Sequence, residues 1–388
     1  MTATTTEPPV RAVTSARATT VPSSSPAAPP TPSWTHRLGF DRFSALYLWA
    51  AFMIFFGITQ TSTFLDWNGS IKLVLTEKAV VGILAIAFLI PLTTQTFDLS
   101  VGHMMSFSLV IVTALSKQTN IPEAVSAMIA ILACALAGFV SGFVVVRLRV
   151  NSFIVTLGMS QLLAGIVLKI SGNRQITEAL SDGYRNVGQG SLGELLHLSL
   201  PGWLDYPLEL PMYFWYLVVL AVAAWYVLEH TPLGRYLFAT GGNREAARLS
   251  GVSTDRLTWG SLVASAVIAG FAGIVWSWKV GNFANTVGPG YLFPAVAAVF
   301  FGASQLRGRP NVWGSLIAVY ALAFGVKGLQ LTFENQTFWI EPVFEGLTLG
   351  IAVALAARHG IVRVKRRGPT GRRGTDSRAV GTTTSRLI

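Results

Sequence analysis

Three acids, Glu77, Asp98 and Glu345, stand inside or at the ends of apolar runs, and chemistry is sought there first. None belongs to a recognisable nucleophile–base pairing. The five histidines are scattered, with no HExxH or CxxC spacing, which argues against a metal site. No Gly-Lys dipeptide occurs, so the phosphate-cradling G-x-x-x-x-G-K-[ST] loop is missing and ATP chemistry belongs elsewhere. The lone Cys134 lies in an apolar run and frames no disulfide. What remains is charge and hydrogen bonding. Asp98, two residues before Ser100, is the most informative case, because an ionised side chain at the bilayer centre costs roughly 2.5–3.5 kcal/mol and must face protein or water. Two readings stay open. Asp98 and Ser100 cap the lower half of a broken helix along a pathway, or they cap an ordinary helix start at a cytoplasmic turn.

The elements that position these residues follow from composition. The chain has 388 residues, 52% hydrophobic and only 12% charged, against about 25% charged in an average soluble domain. A bilayer core takes about 20 apolar residues per helix. Ten such runs occur, at roughly 44–64, 73–92, 98–116, 124–146, 153–171, 213–229, 257–278, 291–304, 311–331 and 341–357. The fold class is therefore all-α, a polytopic membrane protein. Pro294 near the start of the short eighth run predicts a broken or re-entrant segment.

Charge then orients the helices. With the N-terminus cytoplasmic, 21 Lys and Arg fall inside and 5 outside, with 3 within or at the ends of spans. That bias supports ten spans with both termini cytoplasmic. It also accounts for the net charge of +11 without nucleic acid. Residues 1–43 (Thr, Ser, Ala and Pro with a few Arg) read as a disordered cytoplasmic tail and 44–357 as the membrane domain. Residues 358–388 read as a basic cytoplasmic tail anchored near anionic membrane lipid. The loop 172–212 falls outside, where it is a lid or a dock for a soluble partner.

The loop 230–256 falls inside and contains GGNREAARLSGV. Asn243 can cap a helix whose first turn holds Glu245, Glu245 can pair with Arg248, and Gly251 suits the position past the last turn. A helix of about seven residues is too short to stand alone. Ala246 and Ala247 give it a small-residue face that another surface can approach.

TPLGRYLFATGGNREAARLSGV resembles the cytoplasmic loop of ATP-binding-cassette importer permeases of the ribose-type monosaccharide class. The pattern is carried by Gly234, Arg235, Ala239, Gly241, Gly242, Asn243, Ala246, Ala247 and Gly251. FDLSVGHMMSFS, NSFIVTLGMSQLLAGI and the stretch from GPGYLF to GSLIAV are similar to three further blocks of that class, in the same order. The likeness runs from about residue 40 to 357. Departures occur at Gln95-Thr96-Phe97, where the class has Gly-Gly-Ile, at Asn151-Ser152, and in the thinned run Gly302-Ala303-Ser304 to Arg307-Gly308-Arg309.

The resemblance implies a permease subunit that is not itself an enzyme. It implies coupling through Gly241, Gly242, Asn243, Glu245, Ala246, Ala247 and Gly251 to a separate ATPase subunit that holds ATP and Mg2+. It also implies a second permease copy or paralogue and an extracytoplasmic substrate-binding protein. Its expected cargo is a monosaccharide or related polyol. A path for hydroxyl-rich cargo needs neutral donors and acceptors, and Gln95, Asn151, Ser152, Thr156 and Gln161 are candidates beside Asp98 and Ser100. The same machine can carry a nucleoside, an autoinducer sugar or a branched-chain amino acid. A different class, the ion-coupled secondary transporter, would lean on the three acids.

Overall fold

The computed structural model describes residues 40–60, 63–177, 180–198, 205–305, 309–333 and 337–358. Most of both predicted tails, parts of the external loop and residues 306–308 of the thinned glycine run lie outside the described residues.

Among the described residues, long helices fall on the apolar runs, with shorter ones between. In chain order the helices are α1 (Phe40–Thr59), α2 (Lys72–Glu77), α3 (Ala79–Leu92), α4 (Val101–Thr119), α5 (Glu123–Arg147), α6 (Ser152–Ser171), α7 (Asp182–Gln189), α8 (Leu192–Leu196), α9 (Met212–His230), α10 (Pro232–Gly242), α11 (Arg244–Leu249), α12 (Thr254–Val280), α13 (Val287–Gln305), α14 (Val312–Thr332) and α15 (Ile340–Arg358). Among the described residues, six segments are long and apolar enough to cross a membrane, Trp67–Leu92 among them, and Leu46–Thr59 and Val287–Ala303 are shorter apolar stretches. No strand occurs among the described residues, only isolated bridges such as Ile176 to Phe283.

A helix apolar on every side must be buried on every side. That helix is α3, in which every residue except Ile90 is buried. It is enclosed by α12, α13, α9 and α14. The long α12 also packs along α5 and α4. Small residues make this closeness possible, as in membrane bundles generally. A Cβ on Gly142 of α5 would lie 2.2 Å from the Trp259 ring of α12, and Trp259 Nε1 donates to Phe139 O at 3.0 Å. Conversely, the outer faces of α5 and α6 stay open and apolar, with Met128 and Leu132 both 66% exposed. That is the surface a bilayer or a partner subunit covers.

The predicted break at Pro294 does not occur. α13 runs through Pro294 as one helix of 19 residues. A local distortion falls instead in the second span, at Lys78 (φ −87°, ψ 1°) between α2 and α3, where Lys78 N still donates to Val74 O and Gly82 N to Lys78 O.

Several contacts fasten the described residues between α6 and α9. Ser191 and Glu194 form a reciprocal capping box at the start of α8. Gln189 Nε2 donates to Lys279 O at 2.9 Å. Glu209 gathers Trp67 Nε1 and Lys72 Nζ, each at 3.1 Å, while Trp67 stacks on Tyr206 with ring centres 4.7 Å apart. The hydrogen bond from Trp67, then that from Lys72, holds the Glu209 carboxyl below its ordinary range. A lowered carboxylate pKa adds stability above the ordinary glutamate value of about 4.3 and loses it as pH falls through the depressed value. Hydrogen-exchange protection of residues 205–211, corrected for intrinsic rates, is therefore expected to drop below about pH 4. Glu209→Gln is expected to lower it at neutral pH and flatten the dependence.

Candidate functional site

Pro91 near the end of α3 prepares the chain to leave the helix, and threonines close it off. Thr93 Oγ1 donates to Ile90 O at 2.6 Å and Thr94 Oγ1 to Pro91 O at 2.9 Å. Gln95 follows with φ +59°, a left-handed backbone that favours glycine. Glycine, which the resemblance places at this position, would take up that backbone without strain. Gln95→Gly is expected to relieve about 1 kcal/mol of strain and to raise the apparent melting temperature of the purified protein. A fall would show that the exposed carboxamide is itself anchored.

The segment then re-enters the protein. Phe97 N donates to Ser152 Oγ at 3.1 Å, and Leu99 N donates to Thr156 Oγ1 at 3.1 Å. Thr156 Oγ1 in turn donates to Phe97 O at 3.1 Å. Asp98 Oδ1 accepts from Ser100 N at 3.0 Å and from Ser100 Oγ at 2.5 Å. Asp98 and Ser100 are 2% and 1% exposed. The pair closes a tight turn at the entrance of α4. Ser100 itself, at the N-cap position, makes no side-chain cap bond.

The polar candidates therefore separate. Thr156 is wholly buried and bonded to backbone. Gln161 points out from α6 on its exposed face. Asn151 caps α6, accepting from Phe153 N at 2.9 Å. Gln95, Asn151 and Ser152 line an open cleft of about 910 Å3, whose opposite wall is Gly241, Gly242, Asn243, Glu245 and Arg248. Two groups that the sequence presents as separate sites thus share one cleft.

Their junction is a backbone contact. A Cβ on Gly241 would lie 2.1 Å from Thr93 O, so only glycine lets the end of α10 rest on the carbonyl that closes α3. Beyond it, Asn243 Oδ1 accepts from Ala246 N at 3.1 Å and starts α11. α11 has six residues. Arg244 holds Asp255 of α12 at 2.8 Å, and Arg248 reaches Glu245 at 3.4 Å. Gly251 closes the helix with φ +84°. One expectation is corrected: Ala247 is 7% exposed and packs inward against its own chain, so it presents no face. The outward surface is Ala246 with Leu249, which is 82% exposed. Sequence reasoning passed over Leu249, and a large apolar residue in a charged loop was the available signal.

A bundle of membrane-crossing helices with a polar cleft at one end, where the end of α10 rests on the central rod, fits a multi-pass membrane transport protein. Residues 70–365 match the family described as branched-chain amino acid transport system / permease component, and the chain belongs to that family. It is 32% identical over 262 residues to the ribose import permease protein RbsC of Escherichia coli (strain K12), covering 66% of this chain and 77% of that one. It is 31% identical over 286 residues to the autoinducer 2 import system permease protein LsrC of Photorhabdus laumondii, covering 73% and 80%. It is 29% identical over 305 residues to the fructose import permease protein FrcC of Rhizobium meliloti, covering 78% and 81%. No solved structure matches the chain. The chain is thus a permease component of an import system, seated in the cell membrane.

Proposed function

We propose that this chain is the membrane-spanning subunit of an ATP-binding-cassette importer for a monosaccharide or related polyol. Residues 241–251 are its contact with a separate ATPase subunit. The observation that carries the reading is the seat of Gly241 on Thr93 O. Through it, a push on α11 reaches the buried α3, the helix most enclosed by the rest of the bundle. The cargo follows the ribose, fructose and autoinducer-2 systems named for the relatives.

ATP and Mg2+ sit on the ATPase, a second permease copy or paralogue completes the membrane unit, and an extracytoplasmic binding protein delivers the solute. Both termini are cytoplasmic, and the basic tail lies near anionic lipid. The test is purification of the assembled transporter, reconstitution in vesicles and measurement of sugar uptake. Uptake is expected to need ATP and to survive a protonophore while ATP is maintained. Uptake that collapses with the proton gradient at constant ATP would show ion coupling instead.

A further inference from the structure

A second cavity, of about 530 Å3, lies between α2, α3, α13, α14 and α15. Its walls are drawn from the ends of these helices opposite to the α11 cleft. Glu77, Lys78, Tyr291, Lys327, Gln330 and Glu345 line it. Ionisable groups at membrane depth are costly and mark functional paths more often than not. Here they are assembled in pairs. Lys78 Nζ lies 2.5 Å from Glu341 Oε1, also on the wall. Lys279 Nζ lies 2.7 Å from Glu77 Oε2, close in charge though poorly aligned as a hydrogen bond. Lys279 also sits over the Trp276 ring at 5.3 Å, and Trp276 meets Tyr291 edge-on with ring centres 5.3 Å apart.

The lining carries the acids Glu77, Glu341 and Glu345 and the amines Lys78 and Lys327, with Lys279 paired to Glu77 just behind it. Acids and amines interleaved in this way give no strong field of one sign to draw in an ion. It offers strong donors and strong acceptors side by side, the complement of a solute whose hydroxyls both donate and accept. Tyr291 and the 79% exposed Phe338 add ring faces against which a sugar's C–H face can rest. The cavity also continues inward. A void of about 20 Å3, large enough for one water, shares Lys78, Val81, Pro294 and Glu345 with it and ends at Phe344 and Thr348.

We propose that this vestibule is the extracytoplasmic binding site at which a neutral polyhydroxylated solute first meets the permease, with Glu345 at its neck. The inference rests on the importer reading for its direction of access. It is tested in right-side-out vesicles holding the full transporter, with Gln330→Cys or Thr286→Cys in a Cys134→Ala background. A membrane-impermeant thiol reagent is expected to react from outside at both positions. Saturating D-ribose or D-fructose is expected to slow the reaction at least fivefold at one or both, and L-leucine to leave it unchanged.

Rates untouched by either sugar at both positions, slowing by leucine alone, or reaction only from inside would each overturn the proposal. ATP-driven sugar uptake is read in the same vesicles. Uptake with unprotected thiols removes the vestibule and leaves the importer standing. Protection without ATP-driven uptake does the reverse.

Discussion

Leu249→Asp is expected to weaken association with the ATPase subunit by about a hundredfold and to remove uptake, while the permease still inserts and folds. Leu249 is 82% exposed on α11, so its replacement disturbs no packing within this chain. An apolar anchor in a desolvated pocket is the usual source of a hot spot. An unpaired carboxylate placed there costs about 3 kcal/mol or more, which is roughly a hundredfold in affinity. Co-purification with the ATPase subunit and quantitative titration measure it. Leu249→Met keeps shape and should retain most of the affinity. Undiminished association of the aspartate variant would remove α11 as the contact.

Gly241→Val is expected to act differently, sparing association and breaking transmission. Its side chain would begin 2.1 Å from Thr93 O and must push α10 away from the end of α3. Overpacking of this kind costs about 1–3 kcal/mol locally, which a bundle of this size tolerates. α11 itself, started by Asn243 and tied by Arg244 to Asp255 at 2.8 Å, remains formed. The expected result is an assembled transporter that hydrolyses ATP without sugar-dependent stimulation and imports at least tenfold more slowly. Normal uptake by this variant would show that the contact with Thr93 is only scaffolding. The pair of variants separates holding the motor from hearing it.

Much of the bundle was legible because its helices answer to one local variable, apolar run length, and the same holds for the ends of α11. Asn243 and Gly251 act through hydrogen bonds and a backbone angle set within four residues of themselves. What was not legible depends on distant chain. Nothing near Gly241 shows that its neighbour is Thr93, nor near Lys78 that its partner is Glu341, 263 residues away. Ala247 has the right type for the open face first given it, but the rotation of α11 turns it inward. Pro294 signals a break, yet α13 runs through it, whereas the distortion at Lys78 has no proline to announce it.

The enclosed helix α3 begins beside Lys78, on the wall of the outer vestibule, and ends at Thr93, under Gly241. Its 14 residues span ~21 Å. On the importer reading proposed above, one stiff shaft would carry a solute at its head and a motor's lever at its foot. Thermodynamic linkage makes such a shaft work both ways: whatever factor an occupied vestibule applies to the grip of the ATPase, the gripping ATPase must apply to the affinity of the vestibule.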